Sequence, residues 1–267
     1  MTTGPGSLIG EGRTAEVFEY GDGRVLKLLR PGFSEAALRT EALKTAGVGA
    51  AGVPAPAVHG FEEVDGRLGV VFDRAPGTLM LDKILSAPHK VRWWGALLAE
   101  VHVGLMEHQS EQLPDIREVL AEKIHLAEAL TKGQRRQSLD ALAELPEGTA
   151  VLHGDFHPLN VYLSESGPTV IDWLDSSRGP IEADIVRSLW LTSRHVIPPD
   201  SPNRWAITPA AVLLGRSYRL TVLRLTSLAE ADIQPWRLPV IAGRLSEGIQ
   251  REEKSLVDEV RRQITLQ

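Results

Sequence analysis

Cysteine is absent from all 267 residues. That excludes disulfides and thiolate metal sites, while leaving the compartment open. No apolar run reaches the roughly 18 residues needed to cross a bilayer. No internal repeat is visible, and there is no long basic run. With 29 Lys and Arg against 35 Asp and Glu, the net charge of −6 gives no support to binding a nucleic-acid backbone. The start, Met1-Thr2-Thr3-Gly4-Pro5-Gly6, lacks the basic residues and apolar stretch of a cleaved signal. The expectation is a soluble cytoplasmic protein with neither nucleic-acid nor membrane partners; nothing in the residues addresses oligomeric state. What is present, 43% hydrophobic and 24% charged residues, is ordinary globular composition. The length suits one large domain or two small ones.

The first seventy residues read as strands plus one helix. Glu16–Tyr20 and Arg24–Leu29 have strand composition, and Gly21-Asp22-Gly23 between them permits the positive φ of a hairpin turn. A helix is predicted from Ser34, a good N-cap, to Gly47, because Gly49, Gly52 and Pro54 then follow in quick succession. Further strands are predicted at Ala57–Phe61 and Leu68–Phe72, around the turn Val64-Asp65-Gly66. After Ala75-Pro76-Gly77 helical spacing takes over, first in Trp93, Trp94, Leu97, Leu98, Val101 and Leu105, then in Ile116, Val119, Leu120, Ile124 and Leu130. Past Pro146, two short apolar strands, Ala150–Leu152 and Pro168–Ile171, frame a polar hairpin. From Ile185 to Ile264 helical spacing returns, punctuated by Pro198-Pro199 and Pro239. The predicted class is α+β, with a small antiparallel sheet and one helix over residues 1–72, a connector over 73–77, and a larger, mostly helical lobe over 78–267.

Three hard oxygen groups stand at the ends of the two apolar strands: Asp155 and Asn160 in His153-Gly154-Asp155-Phe156-His157-Pro158-Leu159-Asn160, and Asp172 in Val170-Ile171-Asp172-Trp173. Groups so spaced can converge on one point. They suit Mg²⁺, which takes oxygen ligands and is usually held by one or two protein groups plus phosphates. A carboxylate left free of metal can accept the proton of an attacking hydroxyl. Alone, Asp155 or Asn160 would read as a polar turn residue; the spacing of the set is far more specific. His153, Asp155 and His157 also spell a weaker transition-metal pattern, but no further histidine cluster completes it.

Near the start, Gly10-Glu11-Gly12-Arg13-Thr14-Ala15 is a G-x-G-x-x-A run. A dinucleotide fold needs a strand directly before such a run and a helix directly after it. Here Gly4, Pro5 and Gly6 precede it and a hairpin follows. The context fits a glycine loop between antiparallel strands, folded over nucleotide phosphates. Lys27 shares a strand face with Val25 and Leu29, where a solvated lysine is unexpected. It is either an edge lysine reaching for water or a phosphate clamp paired with a carboxylate of the next helix. Glu41 is the better partner, since Glu35 lies at the helix start, where the dipole alone favours it.

Together these elements resemble the aminoglycoside phosphotransferase and choline kinase family, relatives of the protein kinases, over about Leu8 to Leu189; the last eighty residues match only in helical character. The family signature, His-Gly-Asp with Asn five beyond the Asp and then Ile-Asp-Trp, stands at 153–160 and 171–173. The resemblance places the glycine loop at Gly10 to Val17, the strand lysine at Lys27 and the helix glutamate at Glu41. Val53–Val58 is similar to the family's proline-marked link, and Val71–Gly77 to its interlobe hinge, where backbone groups of Asp73 and Ala75 would meet adenine. Leu97–His102 is similar to its Leu-Ala-x-x-His helix, with His102 a packed structural residue. Two departures stand out. Ala15 replaces a third glycine, and Gly179-Pro180-Ile181-Glu182-Ala183-Asp184 lacks the first aspartate of the family's Gly-Asp-Pro…Asp-Leu-Ala, leaving Asp184 to brace the catalytic loop.

The resemblance implies a bilobal, protein-kinase-like fold and an ATP-dependent phosphotransferase. The γ-phosphate would pass to a hydroxyl of a small molecule such as an aminoglycoside-like antibiotic, an amino alcohol or a sugar. Asp155 would be the catalytic base. Gly10, Gly12, Val17, Lys27, Glu41, Asp73 and Ala75 would form the nucleotide site, and Asn160 and Asp172 would hold Mg²⁺. Asp175 and Glu182, close behind the metal aspartate, suggest a cationic acceptor. The alternative is an inactive nucleotide-binding scaffold on the same fold, against which the completeness of the residue set argues. A protein kinase is disfavoured, since no Asp-Phe-Gly…Ala-Pro-Glu segment occurs.

Overall fold

The computed structural model describes residues 4–198, 200–202 and 204–266. Met1 to Thr3 and Pro199, used above, lie outside the described residues. Strands β1 (Leu8–Glu11), β2 (Ala15–Glu19) and β3 (Arg24–Leu29) precede helix α1 (Glu35–Ala50), and β4 (Val58–Val64), β5 (Arg67–Asp73) and β6 (Thr78–Leu79) follow it. Helices α2 (Met80–Ser86), α3 (Val91–Met106), α4 (Ile116–Leu126) and α5 (Lys132–Ala143) lead to β7 (Ala150–Leu152). Next come β8 (Val161–Ser164), β9 (Gly167–Val170) and β10 (Ser177–Gly179). The chain closes with α6 (Ile181–Leu191), α7 (Arg204–Thr226), α8 (Glu230–Ile233), α9 (Arg237–Arg244) and α10 (Gln250–Thr265). The fold is bilobal, with a small sheet-plus-helix unit and a larger helical one. The first unit comprises the described residues up to Met80 together with Leu159–Asp175; the second comprises Leu81–Pro158 and the residues from Ser176 onward. On sequence alone the β-rich lobe ends at residue 72 and the polar hairpin goes to the helical lobe, whereas that hairpin packs as part of the first unit, in a three-stranded sheet with β6.

In the first unit, five antiparallel strands run in the order β1-β2-β3-β5-β4. β4 and β5 meet at Asp65-Gly66, with φ of 52° and 71°, the paired positive angles of a two-residue hairpin turn whose twist matches the strands. Period-two alternation splits β3. Leu26 and Leu28 pack with Val71 on one face. Val25 and Leu29 pack on the other with Val70, Phe72 and, from α1, Leu38 and Ala42.

Helix α1 runs to Ala50, three residues past the predicted end at Gly47. Burial of Val48 in the last turn offsets glycine's helix penalty, about 1 kcal/mol per residue. The stop comes at Gly52, φ +88°. There the Val53 N–H reaches back to the Val48 carbonyl (3.1 Å) and the Gly52 N–H to that of Gly49 (3.0 Å), closing a Schellman motif.

The two apolar segments read as one hairpin lie in separate sheets. β7 pairs with β10 in the second unit, and β9 pairs with β8 beside β6 in the first. The connection between them holds a strand of its own, β8, too short to stand out by composition. A Val170 N–H bond to the Pro54 carbonyl (2.8 Å) and a Lys44 ammonium bond to the Leu174 carbonyl (2.7 Å) tie the β8–β9 hairpin to α1 and the segment after it.

In the second unit α3 and α7 cross closely at Gly95, where a β-carbon would lie 2.4 Å from the Leu214 carbonyl oxygen. Leu130, counted on sequence with α4, falls in the turn after it. The reason is the capping box that starts α5: Thr131 Oγ1 accepts the Gln134 N–H (3.2 Å) and Gln134 Oε1 accepts the Thr131 N–H (2.9 Å). Pro239, read as a break, sits third in α9, still in the first turn, whose N–H groups need no helical partner. Trp190 and Trp236 are buried in this unit, while Trp205 is 81% exposed. Among the described residues, no helix is long and apolar enough to cross a membrane.

Candidate active site

Lys27 occupies β3, the middle strand of the five, which rules out an edge lysine. Its ammonium lies 2.6 Å from Glu41 Oε1 on α1 and 3.3 Å from Asp172 Oδ1, just past β9. The alternation that turns Val25 and Leu29 toward α1 turns Lys27 the same way, and Glu41, one helical position from Ala42, meets it. Burial alone would lower the Lys27 ammonium's pKa; the Asp172 and Glu41 carboxylates outweigh it and hold the group above its ordinary value. Burial pushes the Glu41 carboxyl up, with Lys27 pulling against it.

Asp172 has φ +66°, a left-handed backbone that costs a non-glycine residue about 1–2 kcal/mol. Such strain gathers at functional sites. It swings the carboxylate out of the strand direction toward Lys27. Asn160 directly precedes β8, and its carbonyl accepts the Ile171 N–H at 3.0 Å. Asn160 and Asp172 therefore flank the same open end of the β8–β9 hairpin. Their side chains supply hard oxygen donors, and the donor set fits Mg²⁺ completed by phosphate and water.

Across the sheet, Gly10 pairs with Val17 and Val17 with Lys27, so these three share one face. The glycine loop is pinned by Arg30, whose N–H bonds the Thr14 carbonyl (2.8 Å) and whose Nε bonds that of Gly12 (3.2 Å). Neither Gly10 nor Gly12 has a positive φ, and the strand residue Ala15 needs none, so a third glycine is not required there. At the end of β5 the Asp73 N–H is taken by the Ala57 carbonyl (2.9 Å). The Asp73 N–H is thus already engaged, and its side chain meets His59 Nε2 at 2.5 Å. Ala75 lies two residues on.

Asp155 belongs to the second unit. Its carboxylate has His157 Nε2 at 3.4 Å and Arg187 Nη2 at 3.6 Å. Burial would raise its pKa, but the His157 hydrogen bond and the charges of Arg187, His157 and His153 overcome that and hold the carboxyl well below the usual carboxylate range. The loop around it is braced by Asp184, whose Oδ2 accepts the His153 N–H (2.6 Å) and whose Oδ1 accepts that of Gly154 (2.9 Å). His102 Nε2 lies 3.0 Å from Asp184 Oδ2, its Nδ1 lies 2.6 Å from the Tyr218 hydroxyl, and its ring stacks on Phe156. His102 is thus a packed structural residue and Asp184 the loop's brace. His153 is buried, and its Nδ1 accepts the Asp155 N–H at 3.1 Å. Among the described residues, no three His, Asp or Glu side chains form a metal-holding group; His153 and His157 of the His-x-Asp-x-His string both contact Asp155.

Within the first unit, then, the structure brings Lys27, Glu41 and Asp172 together, with Asn160 at the same hairpin end and Gly10 and Val17 on the lysine's face. It gives Asp155 its own partners in the second. Sequence reasoning missed Arg187, three residues past Asp184, and Glu247, 60 residues further on. A charged residue amid the apolar run Ile185 to Leu191 was the one available signal.

A five-stranded sheet with a helix-paired lysine, joined in one chain to a helical unit carrying a braced His-Gly-Asp loop, is the architecture of the protein-kinase-like phosphotransferases. The sequence matches the model of the phosphotransferase enzyme family over residues 6–208, and the chain belongs to that family. No curated protein matches it. Among solved structures it is similar to the aminoglycoside phosphotransferase APH(4)-Ia in ternary complex with AMP-PNP and hygromycin B, with a TM-score of 0.65 and 16% identity over 97% of this chain and 92% of that one. It is similar also to the amicoumacin kinase hAmiN with AMP-PNP and Ca²⁺ (TM-score 0.59, 15% identity, 96% and 87% covered). A choline/ethanolamine kinase family protein from Mesorhizobium loti is a third (TM-score 0.56, 17% identity, 99% and 88% covered).

Proposed function

We propose that this protein is an ATP-dependent kinase for a small hydroxylated molecule. The observation that carries the proposal is the half-buried Lys27 on the central strand, paired with Glu41 and reaching Asp172. In this reading the Lys27 ammonium binds the α- and β-phosphates, and Glu41 keeps it charged and aimed. Gly10, Gly12 and Val17 lie along the nucleotide, and the Asp73 carbonyl and Ala75 backbone meet adenine. Asn160 and Asp172 would hold Mg²⁺, which when bound supplies neutralisation of phosphate charge. Asp155, ionised throughout the neutral range, orients the acceptor hydroxyl and takes its proton. A carboxylate of low basicity suits that task, because positioning and charge neutralisation supply most of the rate in phosphoryl transfer.

The acceptor is an antibiotic, amino alcohol or sugar carrying a free hydroxyl. Asp175 and Glu182 favour a cationic one, a weaker inference than the phosphoryl chemistry because surface charge bears mainly on association.

The test is ADP release with Mg²⁺ across a panel of hydroxylated amines, sugars and antibiotics. Turnover should exceed background with at least one of them. Asp155→Ala should reduce it by about 10²–10⁴-fold, the range for a positioned general base, with nucleotide affinity kept. Wild-type turnover in Asp155→Ala would refute the base assignment. Nucleotide binding with no turnover on any acceptor would point instead to a ligand-binding scaffold.

A further inference from the structure

We propose that Arg187 is a positioning residue for Asp155, and that Glu247, Arg244 and Glu252 from the C-terminal helices hold it in place. The proposal rests on Asp155 as the base. Arg187 is buried in α6, and its fork divides three ways: Nε donates to the Gly154 carbonyl (2.9 Å), fixing the backbone just before Asp155, while Nη2 lies 2.5 Å from Glu247 Oε1 and 3.6 Å from Asp155 Oδ1. Glu247 in turn pairs with Arg244. Arg244 bonds Glu252 through both Nε (3.1 Å) and Nη2 (2.9 Å), and fully buried Glu252 also accepts the Trp190 indole N–H (2.9 Å). Glu247, Arg244 and Glu252 all lie beyond residue 208, where the family match ends.

The distances explain the arrangement. A tight bidentate bridge from Arg187 would take a lone pair on each oxygen of Asp155 and lower its basicity toward a substrate hydroxyl further. Glu247 takes the short bond instead. At 3.6 Å the guanidinium stays close enough to stabilise the Asp155 charge, its shorter bond going to Glu247. Buried guanidinium groups keep their charge, and a planar fork orients better than an ammonium, so lysine at 187 would not replace it. The charged and titratable groups around this centre are His153 and His157 on the Asp155 loop, Asp184 behind it, and Glu247, Arg244 and Glu252 around Arg187.

The two ends of the relay make opposite predictions about ionisation. Arg187→Gln removes the stabilising charge, so the acid limb of the pH–rate profile should move up. Glu247→Gln lets Arg187 close on Asp155, so that limb should stay or move down. Both should lower kcat for Mg·ATP hydrolysis, with water as acceptor, on the order of 10²-fold, as misplacement of a catalytic group does. KM for ATP should remain within about twofold, the sign that binding is untouched. Arg187→Lys should restore the limb and not kcat. A role confined to stability would lower the midpoint of urea unfolding and shift neither limb. ¹³C NMR titration of the Asp155 carboxyl in the full chain, assigned by Asp155→Asn, reads the same coupling without turnover. If Asp155→Asn hydrolyses ATP at the wild-type rate, the base assignment falls by itself, and the titration still decides whether Arg187 and Glu247 govern Asp155. A folded Arg187→Gln whose kcat is within twofold of wild type and whose Asp155 midpoint is unmoved would overturn the proposal. Should Arg187→Gln fail to fold, an unchanged kcat in Glu247→Gln would overturn it equally.

Discussion

The Lys27 ammonium lies 3.3 Å from the Asp172 carboxylate although 145 residues separate them in the chain. The same ammonium touches Glu41 at 2.6 Å, so one cation is shared by an inner carboxylate and a more exposed one. The two do different jobs. Glu41 is the buried counter-ion, while Asp172 is 43% exposed at its side chain.

Lys27→Met should therefore damage stability and binding together. It leaves Glu41 buried without its partner, and breaking such a pair from one side costs about 3–5 kcal/mol. The double variant Lys27→Met/Glu41→Leu removes both charges and should recover most of that loss in urea unfolding. Calorimetry with Mg²⁺ and a non-hydrolysable ATP analogue should find binding lost in both variants. Wild-type affinity in the double variant would remove Lys27 from the phosphate site.

Asp172 separates strain from function. With φ at +66°, glycine is at ease there and a β-branched residue is not. Asp172→Gly should be more stable than Asp172→Val by about 1–2 kcal/mol, read from paired thermal melts. Both should lose Mg²⁺-dependent nucleotide binding. Equal stability of the pair would show that the backbone is unstrained at this position.

Asp184 sets an acid limit on the fold. Burial would raise its pKa, but the His102 charge and hydrogen bond, the charge of His153 and the His153 N–H hold it below the ordinary value. For a depressed carboxyl the unfolded chain binds protons first on acidification. The stabilisation is therefore complete above the unfolded value, about 3.9, and is lost as pH falls through the folded one. At pH 7, Asp184→Asn should lose about 3 kcal/mol, since its amide turns a donor toward backbone N–H groups that need an acceptor. Urea titrations below pH 4 should show the wild-type and variant curves converging. A constant gap down to pH 2 would contradict the assignment.

Much of the site is legible along the chain because it is written in local rules. Alternation put Lys27 on the face of Val25 and Leu29, and of the acids on the following helix Glu41 stood out because Glu35 lies at the helix start; in the structure Glu41 meets the ammonium at 2.6 Å. The five-residue step from Asp155 to Asn160 and the twelve from there to Asp172 survive as loop and hairpin geometry. The segments 150–152 and 168–171 were recognisable as strands, but their pairing was not. Strand composition specifies a pleated, half-buried surface and says nothing about which edge completes it, so β8 and β10 escaped notice. Helix α1 was cut short for a related reason: Gly47 and Gly49 are poor helix formers, and the burial of Val48 that overrides them exists only after packing.

The amino-acid order alone determined the class of chemistry, through hard-oxygen residues at set spacings and a lysine out of place on an apolar strand face. These are consequences of backbone periodicity, which local sequence carries. The tertiary structure alone decided that Asp172 reaches Lys27, that Asp184 clasps the His153–Gly154 backbone, and that Glu247 stands between Arg187 and a tight bond to Asp155. Such choices depend on which charged groups are desolvated together, a property of packing between distant segments.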